Sequence, residues 1–179
     1  MSTHQDDTIN NDANNIFDLA KGLKKTDPVK SMVQFEEAIK MYNEVFKLRK
    51  ERIPESPRVA NPVYNWANCY KEMYDISKDS KYLVEAEKSH REAIEIRTKA
   101  GDIDSIALSQ KKGNLGLVLS LQDKHEEALV LLKDSMLKHI ESCDASYDST
   151  KEAIEMYKLA FIRSGGDGND FQDHIEELL

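Results

Sequence analysis

Proline, glycine, cysteine and tryptophan are all scarce: 4, 7, 2 and 1 of them occur in 179 residues. No apolar run approaches the roughly 20 residues that a membrane-spanning helix needs. Each shortage excludes a class. Turn-rich β architectures draw heavily on Gly and Pro, so helices should dominate. Cys69 and Cys143 lie far apart within helical patterns. Two such cysteines are too few for a disulfide scaffold and wrongly spaced for a zinc knuckle, so both are expected as reduced thiols. Positive charge is short as well, with 25 Lys and Arg against 33 Asp and Glu and a net charge of −8. Phosphate recognition needs a cationic footprint, so neither a nucleic acid nor an anionic membrane is expected as a partner. The first residues lack the basic-then-apolar order of a signal peptide, and the expected address is the cytoplasm or nucleus.

Catalytic signatures are missing too. His4, His90, His125, His139 and His174 form no metal-ligand spacing. There is no glycine-rich phosphate loop, nucleophile elbow or His-Glu-x-x-His run. Gly165-Gly166-Asp167-Gly168 reads as a loop between helices. The adjacent carboxylates Glu36-Glu37, Glu126-Glu127 and Glu176-Glu177 belong to solvated helical faces, where nothing would tune one of them into an acid. Neither enzymatic activity nor a cofactor or metal is expected.

What is present is helical periodicity. Apolar residues recur at three- and four-residue steps in Phe35, Ala38, Ile39, Tyr42, Val45 and Phe46, and again in Val63, Trp66, Ala67, Tyr70 and Met73. Leu83, Ala86, His90, Ala93 and Ile94 form a further stripe, as do Ala128, Leu131, Leu132, Ser135, Met136, His139 and Ile140. Breakers at Asp-Pro, Ile-Pro-Glu-Ser-Pro, Ala-Gly-Asp, Gln-Asp and Gly-Gly-Asp-Gly divide the chain into about eight helices. Asp27-Pro28 and Asn61-Pro62 read as caps followed by proline in the first turn, and Asp123 with Glu126 has capping-box spacing. Residues 1–13 are polar, acidic and Asn-rich, with almost nothing to bury, and a disordered tail is expected there. One domain is expected over 14–179.

The stripes repeat as units. Asn114-Leu115-Gly116-x-x-Leu119 is followed by His125-Glu-Glu-Ala128-x3-Leu132-x2-Ser135. Asn65-Trp66-Ala67-x-x-Tyr70 precedes Ala86-x3-His90-x2-Ala93, and Asp18-Leu19-Ala20-x-x-Leu23 precedes Phe35-Glu-Glu-Ala38-x3-Tyr42-x2-Val45. A weaker copy begins at Lys158-Leu159-Ala160 and closes with a short helix near 170–178. In each copy a small residue beside a large one would let a second helix approach closely. This pattern resembles the tetratricopeptide repeat (TPR) family. The large-small pairs recur at steps of 47, 49 and 44 residues, against about 34 in the standard repeat. The likeness is therefore to long-repeat members such as the kinesin light chain type. The resemblance implies an all-α, right-handed superhelix of antiparallel helix pairs, three to four repeats long, that takes a protein or peptide partner in its concave groove and catalyses nothing.

In such a groove the first helix of each pair faces the ligand. Helical spacing then aligns Asn14, Asp18 and Lys21; Asn61, Asn65 and Asn68; and Gln110, Asn114 and Leu117, with Tyr64, Lys71 and Lys111 at the margins. Amides present donor and acceptor together and suit the backbone of an extended peptide. The family resemblance implies that Asn65 and Asn114, each directly before a large-small pair, do this, and Asp18 departs from the pattern. In chaperone-binding TPR domains Lys and Asn of the first copy, Asn of the second, and Lys and Arg of the third hold a peptide's C-terminal carboxylate; here only Asn65 matches, and the other slots hold Asn14, Asp18, Gln110 and Asn114. Peptides of that kind are not expected to bind. Asn61 reads equally well as a cap, and Asn68 as a solvated side chain. The competing functional reading is a constitutive structural subunit of a larger assembly.

Overall fold

The computed structural model describes residues 5–142 and 148–177, so Cys143 lies outside the described residues. Where one domain over 14–179 is expected, the chain falls into two compact units, Met1–Ile103 and Asp104–Leu179. The first holds α1 (Gln5–Leu23), α2 (Pro28–Arg52), a 3-10 turn (Pro57–Val59), α3 (Ala60–Ser77) and α4 (Lys81–Lys99). The second holds α5 (Ile106–Leu121), α6 (His125–Ser142), α7 (Asp148–Arg163) and α8 (Phe171–Glu176). Among the described residues there is no strand.

Antiparallel pairing is visible in single bonds. Ser31 Oγ donates to the Ala20 carbonyl at 2.7 Å, Tyr42 Oη to Asn14 Oδ1 at 2.8 Å and Arg49 Nε to Asp6 Oδ2 at 2.9 Å. As one residue number rises along α2, its partner on α1 falls. Small residues set the approach of the pairs: Ala20, Ala38, Ala67, Ala86 and Ala128 are fully buried. The large member of each large-small pair behaves less uniformly. Leu115 is buried and Trp66 half-buried, whereas Leu19 and Leu159 are 53% and 47% exposed.

Local chemistry accounts for several boundaries. Asp27 Oδ1 accepts from the Lys30 backbone N–H ahead of Pro28, which opens α2. Ser105 caps α5 by accepting from the Leu108 N–H at 3.0 Å. Two expected caps are overturned. Asn61 lies inside the first turn of α3, because the 3-10 turn capped by Ser56 delivers the chain two residues earlier, and its side chain turns to Arg97 instead. Asp123 sits at φ 61° in the α5–α6 loop and α6 begins at His125, so the capping box with Glu126 does not form.

The expected tail at 1–13 is also corrected where it is described: α1 begins at Gln5. Asp, Asn and Thr are mediocre helix formers, and intrinsic propensity argues against a helix in Asp6-Asp7-Thr8-Ile9-Asn10-Asn11-Asp12. Tertiary charge pairing overrides it. Asp6, itself buried, receives Arg49 at 2.9 Å and Arg52 at 2.7 Å, and Asp7 receives Arg49 at 3.0 Å and Arg58 at 3.2 Å. Burial pushes the Asp6 carboxyl up, yet hydrogen bonds and charge from Arg49 and Arg52 hold it below the ordinary carboxylate value.

A carboxyl with a lowered folded value contributes stability above its unfolded value and loses it as pH falls through the folded one. The first turns of α1 should therefore lose amide-exchange protection on acidification. Asp6→Asn should cost about 3 kcal/mol at neutral pH, as expected when one partner of a buried pair is neutralised, and should flatten that acid dependence. Denaturant melts at several pH values check both.

Gly116 marks a close approach of α5 and α6 in the second unit. A Cβ there would meet Leu132 Cγ at 2.7 Å and the Ala128 carbonyl oxygen at 3.1 Å. Gly113 is pressed in the same way, against Ser135 Oγ at 2.7 Å. Gly22, in the last turn of α1, has open space around it. Gly116→Ala should destabilise by about 1–3 kcal/mol through overpacking, offset by the helix preference for Ala, while Gly22→Ala should stabilise by about 0.5–1 kcal/mol. Thermal melting of the two variants should therefore move in opposite directions.

Candidate functional site

On α3, Asn61, Tyr64, Asn65 and Asn68 stand at i, i+3, i+4 and i+7 and share a half-buried face. Asn65 lies on its flank toward α1, where its Nδ2 donates to Asn14 Oδ1 at 3.3 Å. The same oxygen accepts the Tyr42 hydroxyl at 2.8 Å, so one carbonyl joins α1, α2 and α3. Burial, with lesser contributions from nearby Cys69 and Asp18, pushes the Tyr42 hydroxyl well above the ordinary phenol value, and it stays a donor. Burial likewise pushes the Cys69 thiol up, which leaves it protonated and unreactive.

The other expected residues differ in their employment. Asn61 Oδ1 accepts from buried Arg97 at 3.4 Å, and Arg97 also pairs with Asp102. The Tyr64 ring leans on the ring of buried His90, with centroids 5.5 Å apart. Asn68 is half-buried, Asp18 exposed, and Lys21 exposed with its ammonium 5.5 Å from the Phe17 ring centre. Past Asn68 the face becomes ionic. Lys71 bonds Asp75 at 2.8 Å, while Lys24 at the end of α1 reaches Asp75 at 3.1 Å and also bonds Glu72. Burial acts against the charges of Lys24 and Asp75, but bonds from Glu72 and then Asp75 hold the Lys24 ammonium above its ordinary value, and Lys71 and then Lys24 hold the Asp75 carboxyl below its own.

In the second unit, taken by itself, Gln110 is exposed and Asn114 half-buried on α5. Asn114 Nδ2 donates to the Gln110 carbonyl at 3.1 Å, one turn back in its own helix. Leu117 is half-buried, and Lys111, expected at the margin of the groove-facing column, is buried. The structure thus joins Asn14 of α1 to Asn65 of α3 and leaves Asn61, Tyr64 and Asn68 beside Asn65 on α3. It gives Asn61, Asn65 and Asn114 intramolecular partners as well. Sequence reasoning missed the Tyr42–Asn14–Asn65 bridge and the Lys24–Glu72–Asp75 pairing, whose members are 28 to 51 residues apart. No local pattern signals them.

No group of three or more His, Cys, Asp or Glu among the described residues is arranged to hold a metal ion. No helix among them is long and apolar enough to cross a membrane.

These placements divide the amides by role. Asn65→Ala should lower stability by about 0.5–1.5 kcal/mol, since one interhelical hydrogen bond is lost while Asn14 keeps Tyr42. Asn68→Ala should stay within about 0.5 kcal/mol of the parent, on the side that helix propensity favours. Chemical denaturation distinguishes the two.

Comparison with other proteins agrees with this architecture. Residues 112–145, from within α5 to just past α6, match the tetratricopeptide repeat. No curated protein sequence matches the chain. Among solved structures, nearly identical TPR-like repeats assigned to a kinesin light chain of Podosopora anserina are 14% identical, with TM-score 0.68 over 92% of this chain and 72% of that one. A point variant of the same protein gives the same figures. BtubC (BKLC) of P. vanneervenii is 13% identical, with TM-score 0.59 over 89% of this chain and 72% of that one. At such identities the likeness shows the fold, and the TPR fold is in general that of a protein–protein interaction module. The chain thus carries a tetratricopeptide repeat match in its third helix pair and has the TPR-like fold of the kinesin light chain type.

Proposed function

We propose that the protein is a non-catalytic adaptor or scaffold that holds an extended segment of a protein partner on the polar face of α1 and α3. The observation that carries this reading is the half-buried row Asn61, Tyr64, Asn65 and Asn68, tied to α1 through the Asn65–Asn14 bond. Amides so placed can donate to and accept from a peptide backbone without demanding a particular sequence. Part of the capacity of Asn61 and Asn65 is already committed to Arg97 and Asn14, which makes Asn68 the group with most to offer a ligand. Gln110 and Asn114 are the corresponding groups of the second unit and act there on their own account.

Affinity capture from native extract, mapping of the bound segment and calorimetry with that segment as a synthetic peptide test the proposal. Asn68→Ala and Asn65→Ala should each weaken binding by about 0.5–1.5 kcal/mol, roughly two- to twelvefold. Asn114→Ala asks the same of the second unit. Unchanged affinity in a folded Asn68→Ala protein would remove the α1–α3 face as the site.

A second reading, a constitutive subunit of a larger assembly, is favoured by one feature of the first helix pair. Val29 and Val33, one turn apart on α2, are 75% and 56% exposed. Permanent interfaces are more apolar than transient ones. A single stoichiometric complex in light scattering, in place of several sub-stoichiometric clients, would select this reading.

A further inference from the structure

Away from the polar face, α2, the segment that follows it and α4 enclose a cleft of about 380 Å³ within the first unit. Phe46, Val59 and Ile96 line it. Phe46 and Ile96 are half-buried and rest on the core formed by Ala60, Val63 and Ala93, so the floor is apolar and supported from below. A volume in this range suits a bound group of a few hundred Å³.

Charge selects among apolar occupants. The lining includes three carboxylates, Glu55, Glu92 and Glu95, and two ammonium groups, Lys50 and Lys99. Lys99 pairs with Glu95 one turn before it, while the Lys50 ammonium sits 5.5 Å from the centre of the Phe46 ring and keeps its charge. Glu55 and Glu92 take part in no ion pair among the described residues. An apolar group that brings a cation would bury surface on the floor and meet Glu55 and Glu92 at an edge where carboxylates outnumber ammonium groups three to two. One that brings an anion would face repulsion from them, reinforced by the net charge of −8.

We infer that the cleft is a second docking site, and that it takes an apolar side chain of a protein partner flanked by Lys or Arg. It shares no residue with the α1–α3 face and does not depend on that face binding anything.

The molecule carries its own reporter. Trp66, the single tryptophan, meets the Phe46 ring edge-on with centroids 5.6 Å apart, so filling the cleft should perturb its emission. The full chain is titrated with end-blocked, Trp-free decapeptides, each with a central Leu flanked by two Lys or by two Glu, and with the Lys peptide in which Ala replaces Leu. The Lys-Leu peptide should give a saturable change in Trp66 emission and the other two should not. Glu55→Lys with Glu92→Lys should weaken that binding about tenfold or more, with circular dichroism unchanged. Asn68→Ala should leave it intact.

Equal responses to Lys and Glu peptides, no saturable response up to millimolar peptide, or full binding by the Glu55/Glu92 variant would each overturn the inference. A response abolished by Asn68→Ala alone would place the peptide on the α1–α3 face and overturn it as well. Trp66 emission that changes on simple dilution without peptide would identify a second copy of the chain as the occupant, against the site proposed here.

Discussion

Close approach of paired helices is the constraint from which the other features follow. Two helices can interlock large side chains only where a small residue lets the backbones come together, and Ala20, Ala67, Gly116 and Ala160 supply it, one in each copy of the repeat. At Gly116 even a methyl group would run into Leu132 and crowd the carbonyl of Ala128. With the approach fixed, Phe17 meets Phe35 edge-on at 5.6 Å, and Trp66 meets Phe46 in the same way. The polar side chains that line α1 and α3 are positioned by those same contacts and by no flexible loop.

Much of this architecture is legible in the chain because it is written at short range. A small residue beside a large one, followed by a breaker and an amphipathic stripe, fits within about forty residues and needs nothing distant to be recognised. Asp27 and Pro28 announce α2 for the same reason. Asn61 shows where local reading fails. Its place before Pro62 looks like a cap, but the preceding 3-10 turn starts the helix early and Arg97, 36 residues away, takes its side chain.

The amide face was legible as a set of positions and illegible as a set of bonds. Helical spacing puts Asn61, Asn65 and Asn68 together on α3, and they lie together. It says nothing of Asn14 and Tyr42, which engage Asn65 and bind it to the fold. A residue can occupy the right slot for a ligand and still spend part of its hydrogen-bonding capacity inside the molecule. Partner bonds between distant segments depend on the packed arrangement of helices, and local pattern does not encode that. The cleft beside Phe46 is hidden for the same reason, since its walls come from three separate stretches of sequence.

The paired charges at the start of α1 carry a practical consequence for handling the protein. Read by composition, residues before Asn14 look expendable, and trimming them is the ordinary choice when preparing a protein for crystals or binding assays. Such trimming would delete Asp6 and Asp7 while retaining Arg49, whose guanidinium is buried beside them. The shortened protein would hold an uncompensated cation in its interior, and its lower yield or looser packing would be misread as a property of the repeat itself.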